Sequence, residues 1–118
     1  MGFALDSIIK QKMIDSPTTI NSAYTSNSVD IDKVEGDFAI SFEYDNGSTV
    51  DMDLSLEVSN DNVSFSEITD SIQNITDNSG LHIFDVTGTG TSFVRVKVAV
   101  TTGSIDIQSI DFVGDRRH

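Results

Sequence analysis

The stretch "STVDMDLSLEVSNDNVSFSEI" (residues 48–68) alternates apolar and polar side chains and then breaks at an Asn-Asp-Asn cluster. Successive strand residues point to opposite faces, so Val50, Met52, Leu54, Leu56 and Val58 form one row. Asp51, Asp53, Ser55, Glu57 and Ser59 form the other. One dry face and one wet face describe a strand of an antiparallel sheet laid over a core. The cluster at residues 60–62 has the residue types of a turn, and "FSEI" after it reads as a brief strand.

Upstream the same period continues. "SVDIDKV" alternates through Val29 and Ile31, and "DFAISFEY" through Phe38, Ile40, Phe42 and Tyr44. Between that strand and the next lies "DNGS", whose Asn-Gly pair tolerates positive φ, so a tight hairpin is expected with its two strands paired directly. Downstream, "TDSIQNITDNSG" reads as a long polar connection anchored by Ile72 and Ile75. "LHIFDV" and "FVRVKVAVT" follow as strands about the Gly- and Thr-rich turn "TGTGTS", the second burying Val94, Val96, Val98 and Val100. The last strand, "SIDIQSIDFVG", buries Ile105 and Ile107 and then Ile110 and Phe112; the change of phase at Gln108 and Ser109 is the signature of a β-bulge.

About eight short strands with no convincing helix after the N-terminus define an all-β, antiparallel β-sandwich. A jelly-roll-like order is expected, with an immunoglobulin-like order open because periodicity does not fix which strands are neighbours. Residues 29–118 form the sandwich and residues 1–28 an N-terminal arm and linker. In the arm, Leu5, Ile8, Ile9 and Met13 recur at helical spacing, so a short helix is expected, packed on its own domain or on a neighbouring chain. The linker is the Ser-, Thr- and Asn-rich "DSPTTINSAYTSNS", which holds Pro17. If the arm is an assembly element, a chain lacking residues 1–16 stays folded.

At 118 residues and 37% hydrophobic content, the chain suits a single thin sandwich. Nineteen Asp and Glu against seven Lys and Arg give a net charge of -12, which repels nucleic-acid phosphates and anionic membranes. Cysteine is absent, so there is no disulfide framework and no thiolate chemistry. No apolar run nears the roughly 20 residues of a membrane span. The N-terminus carries Asp6 and Lys10 among its apolar residues and has no signal-peptide pattern, so the chain is expected to be made in a cytoplasm.

No catalytic apparatus is legible. The imidazoles are His82, in a strand and expected to be a surface or partly packed side chain, and His118 at the C-terminus. No nucleophile elbow, phosphate loop or dinucleotide fingerprint occurs. The chain is therefore read as no enzyme, without a cofactor. Asp30 and Asp32, and Asp51 and Asp53, each share a strand face, and two such pairs side by side could hold a hard cation through oxygen; a solvated acidic face is the preferred reading. In the tail, Arg116 and Arg117 could pair with an acidic face of a neighbouring copy.

"LEVSNDNVSFSEI" followed by "FVRVKVAVTTGSIDIQSIDFVG" resembles the second half of discoidin-like and carbohydrate-binding jelly rolls. The same patterns resemble small structural proteins of tailed and tailless bacteriophages, compact β-sandwiches that serve as capsid decoration, spike-base or tail components. The likeness spans roughly residues 56–114. Phe65 stands where many sugar-binding modules carry tryptophan, and no exposed aromatic platform is evident, which favours the phage branch. That resemblance implies a non-enzymatic virion structural protein, binding other virion proteins and forming a homo-oligomer. Its contact residues would be Phe3, Leu5, Ile8, Ile9, Met13, Arg116 and Arg117. The alternative is a module for cell-surface glycan, using loops around residues 60–62 and 87–92.

Overall fold

The computed structural model describes residues 8–47, 49–87 and 89–116, excepting the side chain of Arg116. Ten strands run in order: β1 (Ile8–Lys12), β2 (Thr18–Ile20), β3 (Tyr24–Thr25), β4 (Val29–Asp30), β5 (Val34–Asp45), β6 (Asp51–Ser59), β7 (Ser66–Ile75), β8 (Ser79–Val86), β9 (Phe93–Thr102) and β10 (Ile105–Arg116). They form two antiparallel sheets. In the first, β1, β10, β5 and β8 lie side by side, with β2 also on β10; in the second, β3, β9, β6 and β7 do, with β4 also on β9.

The short strands are interrupted edges. β1 pairs along residues 111–115 of β10 and β2 along residues 105–107, while Met13 N–H donates to Ile110 O at 2.7 Å between them. β3 and β4 divide the edge of β9 in the same manner, and between them Ser26 gives its N–H to Val96 O and accepts Val96 N–H on its Oγ, each at 2.9 Å. Counted as continuous edges, these pieces make eight strands in two sheets four strands wide. The chain crosses repeatedly from one sheet to the other, in the order of a jelly roll.

The inner rows follow the alternation of the sequence. Ile40, Phe42, Met52, Leu54, Val94, Val96, Val98, Ile105, Ile107, Ile110 and Phe112 are all fully buried. Phe38 and Phe112 pack with ring centroids 5.2 Å apart. The change of phase in the last strand is a register shift between Ile107 and Ser109, the bulge that the sequence implied, and it keeps both halves of β10 facing the core.

Three expectations require correction. First, β5 and β6 do not form a hairpin: they belong to opposite sheets, so the chain crosses from one to the other between Asp45 and Asp51. Gly47 does take positive φ (68°), but five residues are too many for a two-residue turn. Asn46 fastens the crossing, its N–H donating to Asn78 O at 2.8 Å and its Oδ1 accepting Asp106 N–H at 2.7 Å. Second, the described part of the arm is a strand and not a helix. A single short helix is marginal in water, whereas the free edge of β10 offers partners to successive residues of β1. Third, the supposed polar connection contains β7, an edge strand whose exposed residues hide its period.

Gly103 joins β9 to β10 at φ 90°, and a Cβ there would lie 2.7 Å from Thr49 O. Both the backbone conformation and the neighbouring carbonyl exclude a side chain. Gly103→Ala is expected to lower stability by about 2 kcal/mol, read as a lower urea midpoint with an unchanged slope.

Candidate functional site

The β7 and β8 edges of the two sheets lie on the side of the sandwich opposite β1 to β4. Between those edges runs a groove of ≈ 540 Å³. Its floor is apolar: Leu56 and Val58 from β6, Ile68 from β7, Phe84 and Val86 from β8. Its rim is mostly polar, with Asp70, Ser71 and Gln73 on one side and His82, Asp85, Thr87 and Thr89 beside the exposed Ile83 on the other.

A break in pairing shapes the β7 wall. Ile68 lies opposite Leu56 and Gln73 opposite Leu54, so residues 69–72 bulge outward across from Ser55. The bulge leaves Leu56 N–H without a ladder partner, and Ser71 Oγ accepts it at 2.8 Å while donating to Ile68 O at 2.5 Å. The Ser71 hydroxyl is thus committed to the backbone. On the opposite wall, His82 meets Phe84 edge to face, with centroids 4.7 Å apart and planes at 83°.

Burial in this wall holds the His82 imidazole below its ordinary 6.5. The unfolded chain then takes up the proton more readily than the folded one, so acidification through about 6.5 removes stability until the lower native value is passed. His82→Phe is expected to flatten the pH dependence of the urea midpoint between about pH 7 and 5. Asp61 carries the same sign at lower pH. Its carboxylate accepts N–H from Ser64 and Val63 and the Ser59 hydroxyl, which hold it below 3.8, so its contribution is present above that value and disappears only at stronger acidity.

The outer face of the second sheet holds a separate cluster. Arg95 Nε donates to Glu57 Oε1 at 2.8 Å, and its guanidinium lies 3.8 Å from the Phe65 ring centroid. Glu57 and Glu67 are direct cross-strand neighbours, a like-charge placement eased by Arg95 on the first and by the Ser55 hydroxyl, 2.8 Å from Oε1 of the second. Phe65 is therefore occupied by a cation.

The proposed cation ligands are not brought together. Asp30 reaches Phe93, which lies beside Ser59, whereas Asp51 lies beside Thr102 at the other end of β6, roughly 25 Å away by strand rise. Asp30 Oδ1 accepts Asp32 N–H at 2.9 Å, and Asn74 Nδ2 bridges Asp51 and Asp53 at 2.8 Å each. Among the described residues no three His, Asp or Glu converge in a metal-holding group.

Of the arm residues, Met13 is fully buried in the chain's own core, Ile9 packs against that core, and Ile8 is exposed on the outer face of β1. Phe3, Leu5, Arg117 and the Arg116 side chain lie outside the described residues. The two glycan loops named from sequence adjoin at their bases, Ser92 N–H donating to Ser59 O at 3.1 Å, yet among their described residues only Thr87 and Thr89 reach the groove. Asp70, Ser71 and Gln73 escaped sequence reading because they sit in the bulged edge strand. Their only signal was the pair Ile68 and Ile75, seven residues apart and both turned toward the core.

Fold and groove define a class: a small jelly-roll β-sandwich with an open-sided groove between two sheet edges. No known family model matches the chain, and no curated protein matches it in sequence. Among solved structures, it is similar to the CBM22-1 xylan-binding domain of Paenibacillus barcinonensis Xyn10C, with a TM-score of 0.52 over 93% of this chain and 94% of that one. Identity is 10%, so the likeness is one of fold. Dimeric latent PorU of Porphyromonas gingivalis matches over 94% of this chain and 13% of its own, at 6% identity and a TM-score of 0.46.

Proposed function

We propose that this chain is a non-catalytic module that binds a neutral polysaccharide in the groove between β7 and β8. The observation that carries the reading is the composition of that groove. The half-buried Val58, Ile68 and Val86 of the floor suit the C–H face of a sugar ring, and the carboxylate, amide and hydroxyl groups of the rim suit its hydroxyls. The volume, ≈ 540 Å³, falls within the ~300–1,000 Å³ of small-molecule sites. The shared fold with a xylan-binding domain supports the same reading and makes xylan the first ligand to try.

Charge narrows the substrate. A net charge of -12, with Asp70 and Asp85 on the rim, repels uronate- or sulfate-rich glycans but leaves neutral ones unaffected. Catalysis finds no support in the groove, where the Ser71 hydroxyl is held by backbone and His82 is packed against Phe84. The virion-subunit reading is the weaker one, since Met13, one of its seven contact residues, is buried inside the chain itself and Ile9 packs on the same core.

Calorimetric titration with xylan oligosaccharides and with a polyuronate of matched length tests the proposal. Binding of the neutral ligand alone is expected, weakened about tenfold, or about 1.4 kcal/mol, by Gln73→Ala. Equal affinity for the polyuronate, or an unaffected Gln73→Ala variant, would contradict it.

A further inference from the structure

The edges of a sandwich present unpaired N–H and C=O groups, and most of the edges here are blunted. The β1/β2 edge carries Lys10 and Lys12 and is interrupted at residues 13–17; the β3/β4 edge consists of two-residue pieces. β7 breaks register and carries Glu67 and Asp70. β8 is neither interrupted nor out of register, and Asp85 is its one acidic residue. Its eight residues, SGLHIFDV, keep unbroken register with β5 and include no Pro, Lys or Arg. Leu81 and Ile83 stand 59% and 56% exposed on its outer side.

We infer that β8 pairs antiparallel with β8 of a second copy about a two-fold axis at His82, joining the two first sheets into one. This goes beyond the polysaccharide reading and uses the free backbone edge of β8, whose His82, Ile83 and Asp85 also line one wall of the groove, so the two sites adjoin. The occupant follows from the self-complementarity of the strand. Centred on His82, the pairing sets Leu81 against Ile83 of the other copy, twice, and the Ser79 hydroxyl against the Asp85 carboxylate, twice. A centre at Ile83 would set Leu81 against a carboxylate, and a centre at Leu81 would oppose Asp85 to Asp77. The contact is one pair of strands, so it lies at the small, transient end of interfaces. Two copies each carrying -12 also repel, and salt strengthens the pairing by screening that repulsion.

Light scattering from about 1 μM to about 1 mM tests this directly. The mass is expected to rise from 12.8 kDa toward twice that value as concentration increases, and to rise further in high salt. Ile83→Lys should stay monomeric throughout, while Val63→Lys, changing charge equally at an 80% exposed loop residue, should associate like the wild type. Because either lysine lowers the net negative charge, loss of pairing in Ile83→Lys alone identifies the β8 edge. Circular dichroism establishes that both variants are folded. A wild-type monomer at every concentration and salt, or an Ile83→Lys variant that associates normally, would overturn the inference.

Discussion

A chain that begins at Pro17 is expected not to fold. It lacks β1, which covers residues 111–115 of β10, and it lacks Met13 and Ile14, buried at 0% and 5% exposure. Removing a buried side chain of that size removes about 2–5 kcal/mol, and two of them approach the ~5–15 kcal/mol that holds a whole domain together. The uncovered edge of β10 would also present free backbone groups to other chains. The expected result is loss of the cooperative thermal transition and aggregation on purification. A truncated chain melting as the full one does would mean that these residues belong to a separable arm.

Phe112→Ala is the second large effect. Its ring is fully buried in β10 and packs on Phe38 at 5.2 Å, and Gly114, two residues on, has Val34 and Phe38 crowding its own inner face. Strands on both flanks pin the backbone, so the space left by the ring cannot collapse. A loss of about 3–5 kcal/mol is expected, lowering the melting temperature by about 10 °C or more. A shift within about 3 °C would show the core around Phe112 to be far looser than its burial implies.

The rows that build this core were legible because every second residue of β5, β6, β9 and β10 is apolar, and even the bulge at Gln108 and Ser109 left its mark as a change of phase. Neighbourhood was not legible. Two strands flanking Asn46 and Gly47 alternate identically whether they pair side by side or face each other across a core, so the crossing between sheets read as a hairpin. In the arm, Ile9 and Met13 satisfy both a helical and a strand period, and only the free edge of β10 decides between them. β7 was hidden for a further reason: its outer side is wet, and the bulge of residues 69–72 interrupts its alternation. The groove lies between that hidden strand and β8, so half of its rim was out of reach, although His82 was expected to be partly packed and is.

The central claim is that the β7–β8 groove takes a neutral sugar chain. Backbone amide shifts of the labelled protein, followed while xylan oligosaccharide is added, test it residue by residue. The account predicts saturable shifts at residues 68–73 and 82–89, with the Arg95 and Phe65 cluster unmoved. Shifts confined to the outer face of the second sheet, or none with any neutral polysaccharide, would contradict it.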